Sequence, residues 1–210
     1  MKSHYDIVIV GGGMVGASLA CALLPSADAL DLDIAVVEAF PMPPAGALEY
    51  QPSYDARATA LAYGSRTIYE LMGVWDTLRQ HLSPIEHIHV SDRGRFGATR
   101  LHAEDEQVTA LGYVVENHWL GRVLLDRLQQ PDATRVDFIC PAEVTQIDPG
   151  QTQMNLQIQQ DDESHAVSAE LVVMADGGRS ELRERMGIGY QQTEYGQHAV
   201  VANVSPDRPH

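Results

Sequence analysis

A glycine-rich turn near the start of the chain constrains the fold more than any other feature. Residues 5–10 (YDIVIV) form a β-branched run that ends on residues 11–16 (GGGMVG), and small apolar residues suited to a helix continue over 14–24. A second apolar run follows at 32–38 (LDIAVVE). Strand, tight turn, helix and strand in this order predict a βαβ unit with a parallel pair of strands. We expect Pro25 to end the helix.

The glycines of this turn match the spacing G-x-G-x-x-G, and each has a physical role. Gly11 allows the tight turn, Gly13 lets the backbone approach a pyrophosphate, and Gly16 lets helix and strand lie close together. The helix N-terminus offers free N–H groups to phosphates. Glu38 ends the second run, where a carboxylate can bind the diol of an adenosine ribose. The unit therefore predicts bound FAD or NAD rather than NADP; a ligand-free glycine turn is the alternative.

Two later motifs also follow loops or strands in a way that suits ligand binding. Asp55-Ala56-Arg57 comes after a Pro- and Gly-rich loop at 39–56, and Asp176-Gly177 follows an apolar strand and precedes a short helical segment. A glycine turn at the carboxyl end of a strand places backbone donors where ligands bind in open α/β folds. The alternatives are a helix N-cap at Asp55, a solvated Arg57 and an Asx turn at Asp176.

The rest of the chain alternates short strands and helices, which is typical of a mixed α/β fold. Helices are predicted over 57–72 and about 118–129, and residues 85–91 and 98–103 predict a hairpin. Residues 197–204 read as a strand with little sequence after it. Further strands are predicted at 112–115, 136–140, 143–148, 155–160 and 166–176.

Charge, cysteine content and short motifs argue against a nucleic-acid partner, a secreted protein and a metal site. The formal net charge of -15 disfavours nucleic acid as a partner, because phosphate backbones need a basic surface. Two cysteines form no C-x-x-C motif, and the N-terminus lacks the pattern of a signal peptide. We expect a cytoplasmic protein, with at most peripheral contact to a membrane. The histidines, among them His81, His87, His89 and His102, have no metal-ligand spacing, and no metal is predicted.

Four segments in order resemble one enzyme family. They are DIVIVGGGMVGASLA, DARATAL, VVENHWLGRVLLDRL and VVMADGGRSELRERMGI. Together they are similar to the class A flavoprotein monooxygenases of the para-hydroxybenzoate hydroxylase type, and within these to the ubiquinone-biosynthesis hydroxylases. The run HIHVSDRGRFGATRL is similar to the 2-polyprenyl-6-methoxyphenol hydroxylase branch. The resemblance covers essentially the whole chain.

This resemblance implies a function, a cofactor and a set of site residues. The implied activity is hydroxylation of a polyprenylated phenol in ubiquinone biosynthesis, with FAD as cofactor, NAD(P)H as reducing co-substrate and molecular oxygen as oxidant. The chemistry belongs to the flavin, and no catalytic side chain is predicted. The implied FAD-contacting residues are Gly11, Gly13, Met14, Val15, Gly16, Glu38, Arg57, Arg122, Asp176 and Gly177.

The resemblance also implies a domain division. The expected fold is a Rossmann-like FAD-binding domain, residues 1–80 and 110–187, with residues 81–109 and 188–210 contributing part of a β-rich substrate domain. The family's later G-D motif is absent, so we expect a truncated enzyme that binds FAD weakly or not at all. An incomplete sheet edge favours a homo-oligomer. Two alternatives stay open: another FAD-dependent aromatic monooxygenase, or a catalytically inactive module that assembles with other ubiquinone-biosynthesis proteins.

Overall fold

The computed structural model describes residues 1–42, 57–178 and 180–200, together with residues 202, 204 and 207. The predictions for Asp55, Ala56 and most of the loop at 39–56 lie outside the described residues, as does Arg179. In the described part of the chain, no helix is both long and apolar enough to cross a membrane.

The helices and strands follow one another in a mixed α/β order. The strands are β1 (His4–Val10), β2 (Ile34–Val37), β3 (Ala58–Ala62), β4 (Leu82–Ile85), β5 (His87–Ser91), β6 (Ala98–His102), β7 (Gly112–Glu116), β8 (Val136–Ile139), β9 (Glu143–Pro149), β10 (Met154–Gln160) and β11 (Glu163–Met174). The helices are α1 (Met14–Leu30), α2 (Tyr63–Leu71), α3 (Trp75–Leu78), α4 (Asn117–Leu128) and α5 (Glu181–Arg185), with a 3-10 turn at Arg79–His81.

The central sheet has six strands in the order β8-β2-β1-β11-β10-β9. Strands β8, β2, β1 and β11 are parallel, whereas β10 and β9 extend the sheet antiparallel. The predicted βαβ unit is confirmed, because β1 pairs with β2 in parallel and α1 connects them. The last parallel strand, β11, lies next to β1, so residues that follow these two strands emerge side by side.

Both faces of this sheet are covered by apolar contacts. On one face, Ile9 and Val36 lie in a cluster with the buried side chains of α1 and α4, including Cys21 and Leu124. On the other face, Val8 and Val10 belong to a second cluster that includes buried residues of β9, β10 and β11. Burial on both faces explains why the parallel strands read as continuous apolar runs in the sequence.

A three-stranded antiparallel sheet, β3-β7-β4, and the separate hairpin β5-β6 complete the fold. The hairpin prediction is confirmed. The predicted helix over 57–72 is wrong in its first half, where residues 58–62 form β3 and only 63–71 form α2. The Ala-rich segment has helical spacing, but β3 pairs with β7 far along the chain, Leu61 opposite Tyr113. That distant partner outweighs local propensity.

Two further predictions are corrected. Pro25 lies inside α1, which continues to Leu30 and ends on Asp31 in the left-handed conformation. Leu24 and Ala27 on either side of the proline are buried, and this packing offsets the cost of a proline inside a helix. The predicted strand over 197–204 is not formed in its described residues, where Val200 and Val204 are exposed.

Replacing Tyr5 with phenylalanine tests a polar link across the sheet. The buried Tyr5 hydroxyl donates to Asp137 Oδ2 at 2.7 Å and accepts from the Lys2 amide at 2.9 Å, which ties β1 to β8. We expect Tyr5→Phe to lower the free energy of unfolding by about 1–1.5 kcal/mol, as measured by urea denaturation. Tyr195→Phe is the control, because Tyr195 is 83% exposed, and should change it by less than about 0.5 kcal/mol. Equal effects of the two changes would contradict the link.

The buried thiol of Cys21 makes stability depend on alkaline pH. Burial raises the pKa of Cys21 from 9.0 to about 12. Between pH 9 and 12 the unfolded chain loses this proton while the folded chain keeps it, so stability falls as the pH rises. In Cys21→Ala the fall should be shallower, by up to about 1.4 kcal/mol per pH unit. Urea denaturation at pH 8, 9 and 10 checks this, and parallel pH profiles for the two proteins would refute it.

Candidate FAD site

A cavity of about 630 Å³ opens at the carboxyl ends of the parallel strands. Its volume lies in the range of cofactor pockets. Eight of the ten residues predicted to contact FAD line it, although they come from four separate parts of the sequence: Gly11, Gly13, Met14, Val15, Glu38, Arg57, Asp176 and Gly177. The fold therefore brings most of the predicted set together around one space.

The first glycine turn is shaped by close backbone contacts. Gly11 has φ +102°, a conformation that side chains rarely adopt, and a Cβ there would lie 2.5 Å from the Ala175 carbonyl oxygen. A Cβ on Gly16 would collide with the Gly11 carbonyl oxygen. Gly16 does not line the cavity; it lies beneath the turn and lets α1 begin next to the strand end. The predicted role of Gly16 in close packing agrees with this geometry.

The N-terminus of α1 faces the same cavity through Gly13, Met14 and Val15. Gly13 is the N-cap residue, and no side chain of the described residues caps the helix. The Gly13 carbonyl accepts the first hydrogen bond of the helix, from the Ala17 amide at 2.8 Å. The first N–H groups of a helix have no partner within the helix, and together with the helix dipole they favour a phosphate.

Glu38 is buried, with a relative exposure of 6%, although it lies just past the end of a strand. Its Oε2 accepts from the Gly12 amide at 2.7 Å, and its Oε1 accepts from the Phe40 amide at 2.8 Å. Each carboxylate oxygen can accept two hydrogen bonds, so both retain capacity for a ribose diol. The sequence predicted the ribose role alone; it did not predict that Glu38 also holds the glycine turn in place.

The second glycine turn lies beside the first. Ala175, directly after β11, donates its amide to the Val10 carbonyl at 2.7 Å, which joins the ends of β11 and β1. Gly177 has φ +89°, and a Cβ added to it would meet no described atom within 4 Å, so this turn is open towards the cavity. Asp176 is exposed there. Ser180 then caps α5 by accepting from the Arg183 amide at 3.0 Å.

The two predicted arginines lie in different places. Arg57 lines the cavity and precedes β3, where its carbonyl accepts from the Asn117 amide at 2.8 Å. Arg122 lies on α4 with its guanidinium bonded to Asp126 at 3.0 Å, and it is not among the residues that line the cavity. The contact of Arg122 with FAD stays a prediction.

The structure adds cavity residues that the sequence motifs did not identify. Ala142, Glu143 and Val144 enter from the start of β9, and Arg185 enters from α5, where it donates to the Thr145 carbonyl at 2.6 Å. These segments carry no glycine signature or characteristic spacing. The pairing of β9 with β10 and of β10 with β11 brings the first three to the site, and Arg185 reaches it through the short connection from β11 to α5.

The geometry of the site fits a dinucleotide. Two glycine turns, a helix N-terminus that no described side chain caps, and a buried carboxylate meet at one cavity, which is the arrangement that a pyrophosphate and its adenosine ribose require. The family model described as "FAD binding domain" matches residues 4–210. The chain belongs to this FAD-binding family. FAD is therefore the dinucleotide for which the site is built.

Comparison with individual relatives indicates which members of this FAD-binding family the chain resembles. The chain is 36% identical over 207 residues to the ubiquinone hydroxylase UbiL of Rhodospirillum rubrum, covering 98% of this chain and 44% of that protein. It is 28% identical over 211 residues to the mitochondrial ubiquinone biosynthesis monooxygenase COQ6 of Homo sapiens, covering 95% of this chain and 43% of that protein. This FAD-binding domain thus spans less than half the length of both relatives. The predicted resemblance to ubiquinone-biosynthesis hydroxylases is confirmed.

Solved structures confirm the fold class. The p-nitrophenol 4-monooxygenase PnpA from Pseudomonas putida superposes with a TM-score of 0.68 at 19% identity, covering 89% of this chain and 44% of PnpA. The anhydrotetracycline hydroxylase OxyS from Streptomyces rimosus gives 0.71 at 16% identity, covering 91% of this chain and 35% of OxyS. The predicted Rossmann-like FAD-binding architecture is therefore shared with these proteins.

Proposed function

We propose that this chain provides the FAD site of an FAD-dependent monooxygenase that hydroxylates a polyprenylated phenol in ubiquinone biosynthesis. The observation that carries the proposal is the convergence of Gly11, Glu38 and Asp176 on one cavity in a chain that is 36% identical to a ubiquinone hydroxylase. NAD(P)H is the proposed reductant and molecular oxygen the co-substrate. The protein is proposed to work in the cytoplasm, peripheral to the inner membrane that holds its lipid substrate.

The residues of this chain bind and orient the cofactor. The amides of Gly13, Met14 and Val15 would hold the pyrophosphate, and Glu38 would accept hydrogen bonds from the ribose hydroxyls. Arg57 would balance phosphate charge, and the open turn at Gly177 would offer backbone donors. When bound, FAD supplies the redox chemistry by which reduced flavin and oxygen hydroxylate an aromatic ring.

We also propose that the chain contributes to two domains. Residues 1–80 and 110–187 would form the FAD-binding domain, and residues 81–109 and 188–210 would belong to a substrate domain. The separate hairpin β5-β6 supports this division, because among the described strands it pairs with neither of the two larger sheets, whereas β4 of the same segment pairs with β7 and joins it to the FAD-binding part. Phe96 at its tip and Val90 along it are exposed apolar side chains, as expected of a surface near a lipid-tailed substrate.

Two measurements test this function. The first is a fluorescence titration of the purified chain with FAD; saturable binding, even if it is too weak to survive desalting, supports the site, and failure of the folded chain to bind even at millimolar FAD opposes the proposal that this chain provides the site. The second is deletion of the encoding gene in its own host. We expect a polyprenylated phenol that lacks one ring hydroxyl to accumulate and ubiquinone to fall.

Rescue of the deletion distinguishes an enzyme from an assembly module. The wild-type gene should restore ubiquinone, and a gene carrying Gly16→Ala should not, because that change moves α1 and displaces the amides proposed to hold FAD. An unchanged quinone profile after deletion would overturn the proposed substrate. Full rescue by a variant that binds no FAD would overturn the enzymatic role and favour assembly with other ubiquinone-biosynthesis proteins.

A further inference from the structure

A cluster of three metal-ligating side chains lies at the amino end of the central sheet, away from the FAD cavity. His4 and Asp6 project from β1, and Glu170 projects from β11, which pairs with β1 in parallel. One ligand atom from each residue lies within 4.8 Å of the other two. Strand β1 runs from this cluster to the glycine turn, so the two sites are about 20 Å apart.

The imidazole of His4 is oriented by a group outside the cluster. The Ser168 hydroxyl donates to the Ser3 carbonyl oxygen at 3.4 Å, and Ser168 Oγ lies 2.9 Å from His4 Nδ1. This contact occupies Nδ1, so Nε2 is the ring nitrogen left to bind an ion in its deprotonated form. Outer hydrogen bonds of this kind orient the rings of metal-binding histidines.

Asp6 is oriented in the same way. Its Oδ2 accepts from the Asp33 amide at 2.6 Å, which leaves Oδ1 for a ligand. Asp33 is in turn held by Lys2, whose Nζ lies 2.7 Å from Asp33 Oδ1. Two of the three candidate ligands are therefore positioned by partners that are not ligands themselves, as is usual for metal ligands.

We propose that His4, Asp6 and Glu170 bind a divalent transition-metal ion such as Zn²⁺. One imidazole and two carboxylates are ligands that Zn²⁺ accepts, at about 2.0–2.2 Å each, with water completing the tetrahedron. Glu170 is exposed on its strand and can rotate to close the remaining distance. The ion would join the start of β1 to β11, the two strands whose opposite ends form the FAD site. This proposal does not depend on the proposed function.

A pair of histidines on the hairpin also offers ligands for Zn²⁺, and its contribution to the titration has to be removed. His87 and His102 face each other on the hairpin, with their Nδ1 atoms 2.8 Å apart, and two imidazoles alone can hold Zn²⁺ weakly. All titrations are therefore done in untagged protein carrying His102→Gln. This change lies on the exposed hairpin and leaves the central sheet intact.

The test is a Zn²⁺ titration by calorimetry, with thermal unfolding in parallel. We expect one bound ion per chain and a rise in Tm of about 5–10 °C at a free Zn²⁺ concentration about 100 times the dissociation constant. His4→Gln and Glu170→Gln should each weaken Zn²⁺ at least about 10-fold, as loss of one ligand from three requires. Circular dichroism confirms that each variant is folded.

The matched control is His165→Gln. His165 and Glu163 form an exposed histidine–carboxylate pair on β11, 3.8 Å apart, and the described residues offer this pair no third ligand. This change should leave Zn²⁺ affinity within about twofold. Nitrogen-15 NMR of the imidazoles gives a direct readout, because Zn²⁺ should shift His4 Nε2 and not Nδ1. Absence of binding, equal affinity in His4→Gln, or a shift at His165 in place of His4 would overturn the proposal.

Discussion

Gly16→Ala is expected to abolish measurable FAD binding and to lower the free energy of unfolding by about 3 kcal/mol. An alanine Cβ at this position collides with the Gly11 carbonyl oxygen, which belongs to the backbone and cannot swing aside. Relief requires α1 to move away from β1, and overpacking of this kind costs about 1–3 kcal/mol or more. The same movement displaces the amides of Gly13 and Met14. Losing two charge-assisted hydrogen bonds weakens FAD by about 100-fold or more.

Urea denaturation and an FAD fluorescence titration measure the two effects of Gly16→Ala. Gly64→Ala is the control, since Gly64 lies in α2, has ordinary φ, and an added Cβ there would meet no described atom within 4 Å. This control should leave FAD affinity unchanged and raise stability by about 0.5–1 kcal/mol. FAD binding by Gly16→Ala at the wild-type affinity would show that the turn does not carry the cofactor.

Glu38→Ala is expected to weaken FAD by about 10- to 100-fold and to lower the free energy of unfolding by about 1–3 kcal/mol. The loss of affinity follows from the missing acceptor for the ribose diol. The loss of stability follows from the Gly12 and Phe40 amides, which donate to the two carboxylate oxygens at 2.7 and 2.8 Å. Both effects arise from one side chain because it is buried at 6% exposure between strand and turn.

Glu143→Ala is the control that distinguishes ribose recognition by Glu38 from the effect of removing any negative charge from the cavity. Glu143 lines the same space but is exposed and lies at the start of β9. Removing its charge should change FAD affinity by less than about threefold, since an exposed charge is screened. If Glu143→Ala and Glu38→Ala weakened FAD equally, cavity charge rather than ribose recognition would explain the loss.

The local sequence was sufficient to predict the structure wherever all the residues that determine it lie in one segment of the chain. The run 5–38 carries strand, glycine turn, helix start and carboxylate in consecutive order, and the structure confirms this unit, with Glu38 next to Gly12. The hairpin at β5-β6 and the turn at Asp176-Gly177 were predictable for the same reason. Glycines with positive φ, such as Gly11 and Gly177, are constrained by sterics that act within a few residues.

Where distant partners decide the structure, the sequence pattern was insufficient. The segment 58–62 has helical spacing and became β3 because β7 pairs with it, and α1 continues past Pro25 because the flanking side chains are buried against the sheet and α4. The cavity wall from Ala142 to Val144 depends on strand order in the same way.

The amino-acid sequence by itself determined the βαβ unit, the glycine turn and the family resemblance, because these depend on residue type and spacing over short distances. Only the tertiary structure decided the strand order, the second role of Glu38, the separation of Arg122 from the cavity and the meeting of His4 with Glu170. The physical reason is that contacts between residues far apart in the chain are set by the burial and pairing of whole helices and strands. A local sequence pattern does not indicate which of these elements will contact each other.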